Sequence, residues 1–146
     1  MSHEGIDLGT SVGYLMKEAS SALRTAMEAV LRPLGMTITH YSCLELLAQR
    51  PGLSNSELAR GAFVTRQSMH VMLLSLERDG VVSRPGQPES GRVLPTALTE
   101  KGRAQLATAS AAVRAVEKRM TRDLDIDEQS RFGFMLTQCT ASLRAG

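Results

Sequence analysis

The sequence predicts a mainly α-helical fold carrying one small β-hairpin. Three observations lead there: apolar residues recur at helical spacing over most of the chain, the period changes once between residues 81 and 98, and 146 residues suffice for one core but not for two ordinary domains. The first helix runs from Val12 to Val30, with Val12, Leu15, Met16, Ala19, Leu23, Met27 and Val30 on its apolar stripe; Ser11 is its cap, and Pro33 and Gly35 close the segment. A second helix runs from Thr37, its cap, to about Arg50, with Tyr41, Leu44, Leu47 and Ala48 directed inward, and Pro51-Gly52 ends it. A short third helix opens at Ser54 and carries Leu58 and Ala59. Thr65 caps a fourth whose Met69, Met72, Leu73 and Leu76 repeat on one face until Gly80 stops it.

From Val81 to Arg84 and from Arg92 to Leu98 the residues are strand-like, and the Pro- and Gly-rich stretch from Pro85 to Gly91 separates them as a hairpin tip. Pro95 cannot donate to a ladder, so its strand is expected at an edge. Helix resumes at Thr99. Leu106, Ala109, Val113, Val116 and Met120 alternate by three and four, the seam of a helix that pairs with another, and Ala107, Ala111, Ala112 and Ala115 permit close approach. A last helix from about Asp127 places Phe132, Met135, Leu136, Cys139 and Leu143 on one face.

This order is the layout of a winged helix-turn-helix over about residues 37–99, flanked by dimerisation helices over about 11–34 and 100–146, the whole forming a single domain. The outer helices carry more apolar stripe than so small a middle can cover, and a second copy of the chain is the simplest cover.

Composition narrows the function. The formal charge is only +2, so affinity for nucleic acid depends on where the cations sit. Aromatic residues make up 3% and Trp is absent, against single-strand binding by base stacking. No apolar run approaches the roughly 20 residues that span a bilayer, and Met1 to Thr10 has neither a basic start nor an apolar stretch. A cytoplasmic protein is expected, without a membrane partner.

The stretches Leu53-Ser54-Asn55-Ser56-Glu57-Leu58-Ala59-Arg60, Val64-Thr65-Arg66-Gln67-Ser68-Met69 and Leu76-Glu77-Arg78-Asp79-Gly80-Val81-Val82-Ser83-Arg84, with Leu98-Thr99-Glu100-Lys101-Gly102 after the hairpin, resemble the MarR (multiple antibiotic resistance regulator) family. The resemblance implies a DNA-binding homodimer in which the helix from Thr65 to Asp79 enters the major groove and the hairpin is a wing. Residue chemistry agrees. With the apolar stripe inward, Arg66, Gln67 and His70 project from the other side near the helix start, where Arg can grip guanine and Gln adenine. Ser54, Ser56 and Ser68 suit phosphate, as do the exposed amides at helix starts, and the cap Thr65 is counted with the DNA-binding residues. Arg84 and Arg92 complete the set, Arg92 standing where the resemblance puts the wing arginine. Ser90 occupies the position of the family's acidic partner to that arginine, and Glu89 is adjacent but out of register, so the pair that orders the wing tip is missing.

Other signals give way to plainer readings. Gly9-Thr10-Ser11-Val12-Gly13 matches the nucleophile-elbow pattern, but that motif needs a preceding strand, and helix capping accounts for Thr10 and Ser11. His3, His40 and His70 are too scattered for a metal site, and His40, three residues after Thr37, suits local hydrogen bonding. Cys43 and Cys139 lack metal or disulfide spacing, and buried, inert thiols are expected. Arg114, Lys118 and Arg122 form a stripe that reads as a solvated face.

The expected function is a sequence-specific, double-stranded-DNA-binding regulator, a ligand-responsive repressor acting on an inverted repeat, with no catalysis and no cofactor. The resemblance further implies a small aromatic or anionic effector bound between the dimer helices and the winged portion, for which Met16, His40 and Tyr41 are the candidates; ordinary core is the plainer reading of Met16 and Tyr41. The competing class is a winged-helix protein-interaction module, which would show an exposed apolar patch where the arginines and Gln67 stand.

Overall fold

The computed structural model describes residues 4–84 and 96–146. The helices follow the sequence closely: α1 (Val12–Leu31), α2 (Ile38–Gln49), α3 (Asn55–Gly61), α4 (Arg66–Arg78), α5 (Glu100–Met120) and α6 (Ile126–Arg144), with a 3-10 turn at Arg32–Leu34 after α1. Two strands, β1 (Val82–Ser83) and β2 (Ala97–Leu98), pair antiparallel in the register Val82 to Leu98 and Ser83 to Ala97. The expected hairpin tip, the edge position of Pro95, and His3, Ser90 and Arg92 lie outside the described residues.

Local chemistry sets the boundaries. Ser11 accepts the N–H of Tyr14 and Thr37 that of His40, so each caps its helix as expected. The residues before Ser11 form a turn rather than a strand, with Ser11 N–H donating to the Asp7 carbonyl at 2.8 Å, so the elbow pattern is a helix start. Gly35 and Gly80 end their segments at φ 73 and 74, left-handed backbone that costs any residue with a Cβ. The last helix begins at Ile126, capped by Asp125 in a reciprocal box with Glu128 that the sequence reading did not include.

The chain forms two compact units, Met1–Val113 and Arg114–Gly146. The core of the first unit joins Leu31, Cys43, Leu44, Leu47, Leu58, Met69, Leu73, Leu76, Val81, Val82 and Leu98. Leu106, Ala109 and Val113 belong to it as well. The first half of the stripe expected to be the seam of a helix pairing with another therefore covers the winged portion of its own chain. Ala48 is exposed, not inward, because α2 turns Cys43, Leu44 and Leu47 to the core and Ala48 falls off that arc. Cys139 is also exposed, a second correction, since α6 buries none of its residues, whereas Cys43 is fully enclosed. Burial pushes the Cys43 thiol up to about 11, leaving it protonated and inert at neutral pH.

The junction between helix α4, the sheet and α5 is closely built. The Thr99 hydroxyl lies 2.6 Å from the carbonyl of Gly80 and 3.0 Å from that of Val81, and accepts the N–H of Gly102 at 3.1 Å. Lys101 Nζ donates to the Asp79 carbonyl at 2.8 Å. A Cβ on Gly102 would sit 2.2 Å from the Val81 carbonyl oxygen, so only glycine permits this approach.

Candidate nucleic-acid interface

Two short helices and the turn between them position the side chains expected at DNA. At the start of α3 the Ser54 hydroxyl accepts the N–H of Glu57 at 3.1 Å, and the Glu57 carboxylate accepts the N–H of Ser54 at 3.0 Å. The Ser54 backbone N–H foremost, and its side chain next, hold the Glu57 carboxyl below its usual range. Ser54 is exposed and Ser56 half-buried. Asn55 Nδ2 donates to the Arg66 carbonyl at 3.3 Å, tying the start of α3 to the start of α4.

Thr65 caps α4. Its hydroxyl accepts the Ser68 N–H at 3.0 Å and donates to Ser68 Oγ at 3.0 Å. Met69, Leu73 and Leu76 are buried and Met72 half-buried, which turns the opposite face outward; Arg66, Gln67, Ser68 and His70 are all exposed. The structure therefore brings Thr65, Arg66, Gln67, Ser68 and His70 together over the first turns of one helix, with Ser54 and Ser56 at the start of the helix tied to it. Arg84 is half-buried at the end of the described part of the first wing segment.

The sequence reading missed three apolar residues in this region. Val71 is 59% exposed, Leu74 45%, and Phe63, in the turn before α4, 83%. Phe63 has φ 58, a left-handed conformation unusual for an aromatic residue. Stepping four and seven residues on from Gln67 would have found Val71 and Leu74, since that spacing keeps one helical face.

The effector candidates are more dispersed. Met16 is exposed on α1, and His40 and Tyr41 are half-buried on α2. A cleft of about 220 Å³ is lined by Tyr41, Ser42, Glu45, Leu46, Gln49, Arg50 and Gly61, and neither Met16 nor His40 is among them. Glu45 accepts a hydrogen bond from the Ser110 hydroxyl at 2.8 Å, fixing α2 against α5. His40 Nε2 is enclosed without a hydrogen-bond partner among the described residues, and desolvation lowers its pKa, partly offset by the nearby Asp79 charge. Among the described residues no group of three or more His, Cys, Asp or Glu is placed to hold a metal, and no helix is long and apolar enough to cross a membrane.

Residues 36–94 match the MarR family. The HTH-type transcriptional repressor Rv2887 of Mycobacterium tuberculosis is 45% identical over 125 residues, 86% of this chain and 90% of that protein. The structure of Rv2887 in complex with DNA superposes with a TM-score of 0.74 at 41% identity, covering 89% of this chain and 98% of the other. Its complex with salicylic acid gives a TM-score of 0.74 at 43% identity, covering 89% and 96%.

Proposed function

The chain belongs to the MarR family, and from that premise we propose that it is a homodimeric transcriptional repressor that reads an inverted repeat in double-stranded DNA. The observation that carries this is α4: a Thr65-capped helix with one face buried in the core and Arg66, Gln67 and His70 exposed on its first turns, in a chain 41% identical to one solved with DNA. Such a helix presents donors and acceptors to base edges while its rear is held rigid. Arg66 and Gln67 are assigned to bases. Ser54, Ser56, Thr65 and Ser68 are assigned to phosphates, as are Arg84 and Arg92.

Thr65 and Ser68 already bond to each other, so their role toward phosphate is largely that of shaping the helix start. The family is one of regulators, and the reading involves neither catalysis nor a cofactor; the protein acts in the cytoplasm, where its DNA is.

Release by a small aromatic acid is part of the proposal, supported by the relative solved with salicylic acid. The ligand must favour one spacing of the two recognition helices over another, since occupancy alone shifts nothing. The Tyr41 cleft and the enclosed His40 Nε2 are the two features on α2 that such a ligand would address, with Met16 of α1 the third candidate.

Selection of duplexes from a random pool tests the reading: one palindromic sequence should be enriched. On that operator Arg66→Ala should lose about 1–3 kcal/mol of binding and relax preference at one position per half-site. A uniform loss across sequences, with a salt slope shallower by about one, would reassign Arg66 to phosphate. A pool with no enriched sequence would refute the reading.

A further inference from the structure

Beyond the polar side chains already assigned, the outward face of α4 carries Val71 and Leu74, 59% and 45% exposed, on the stripe that starts at Gln67 and ends at Arg78. They add nothing to the core, which Met69, Leu73 and Leu76 already fill from the opposite side. Isolated apolar residues on a surface are ordinary. These two differ in lying side by side on the one helical face opposite the core, between Gln67 and Arg78, with Arg66 flanking it and Glu77 as the acidic neighbour.

The chemistry of the major groove limits what an apolar side chain can meet there. Base edges offer hydrogen-bond donors and acceptors throughout, and one apolar group, the C5 methyl of thymine. Val71 follows Gln67 by four residues, a rise of about 6 Å along the helix, comparable to two base-pair steps of about 3.4 Å. It also falls in the second turn, within the N-terminal part of a recognition helix that meets base edges. Leu74 lies a further turn on and is less exposed.

We propose that Val71 reads a thymine through its C5 methyl group, about two base pairs from the position that Gln67 contacts. The assignment rests on the reading of α4 as the DNA-recognition helix and adds a base that its polar residues do not specify. It also gives the exposed apolar surface of α4 an occupant other than a protein partner.

The test uses the full-length protein and the operator enriched from the random pool, with thymines replaced by deoxyuridine one symmetric pair at a time. Removing one buried methyl weakens an apolar contact about fourfold, so the symmetric replacement at the Val71 position should weaken binding about fifteenfold. Val71→Ala should bind the unmodified operator correspondingly less well and be indifferent to uracil at that position alone. Indifference of the unsubstituted protein to every uracil replacement, or the same uracil sensitivity in Val71→Ala, overturns the assignment while leaving DNA binding intact. Failure to enrich any sequence overturns the DNA reading and this assignment together. Capture of a protein by α4, lost in Val71→Ala and unaffected by operator, would overturn it in favour of a protein-docking face.

Discussion

Single residues set the tolerances of this fold. Gly102 is the sharpest case: an added methyl would meet the Val81 carbonyl at 2.2 Å, and a backbone oxygen cannot move aside as a flexible side chain can. Gly102→Ala should therefore cost about 1–3 kcal/mol or more in denaturant unfolding, and amide exchange at Val82 and Leu98 should accelerate as the sheet loosens. His40 makes a prediction about pH. Its folded pKa is lowered from the ordinary 6.5, chiefly by desolvation with Asp79 opposing, so below that value the unfolded chain binds more protons than the folded one. The stabilising contribution is present above pH 6.5 and is lost as pH falls through the lowered folded pKa. His40→Gln should show a smaller loss of stability between neutral and mildly acidic pH; an identical pH profile would place the group's titration elsewhere.

At the scale of elements, helix starts do most of the positioning. The end of the 3-10 turn and the Gly80 stop set where α2 begins and where α4 gives way to the sheet, while Ser54 and Thr65 fix the first turns of α3 and α4. Thr65→Ala removes the acceptor for the Ser68 N–H and should destabilise the protein by about 0.5–2 kcal/mol. Operator binding should weaken through fraying of the turn that bears Arg66 and Gln67. Thr65→Ser keeps the hydroxyl and should restore both; rescue of stability without rescue of binding would mean that the Thr65 methyl itself is needed at the DNA. The buried faces of α4 and α5 were readable because spacing alone identifies such a face, whereas on α2 Ala48 falls off the buried arc and the α1 stripe is left largely exposed, with Leu31 beyond it as that helix's buried residue. The orientation of Val71 was readable too, but a rule that looks for polar readers at DNA passes over an apolar one.

At the scale of the molecule, each of the two compact units leaves apolar surface uncovered. In the first, α1 buries only Leu31 and leaves Val12, Leu15 and Met16 exposed; in the second, α6 buries nothing and exposes Phe132, Phe134, Met135 and Leu143. Helices of this kind are stable only when the stripe is packed. A symmetric second copy is the cover expected of the family, and it would set the two recognition helices about 34 Å apart, one turn of DNA. Sedimentation at micromolar concentration should give a dimer. A chain ending at Asp123 should keep the fold of the winged portion yet sediment largely as a monomer; a dimer of that shortened chain would move the interface off α6.

The sequence by itself determined the element order, the caps at Ser11, Thr37 and Thr65, the opening of α3 at Ser54, the glycine stop at Gly80 and the face of α4 that turns from the core, because these depend on neighbours within a few residues. Tertiary structure alone decided the rest. Whether the α5 stripe serves its own chain or another depends on contacts distant in sequence, and it joins the winged core through Leu106, Ala109 and Val113. The need for glycine at position 102 arises from a carbonyl 21 residues away, at Val81, and the enclosure of His40 from the elements that pack over it. Spacing along the chain carries no record of such distances, since they are set by how whole helices pack.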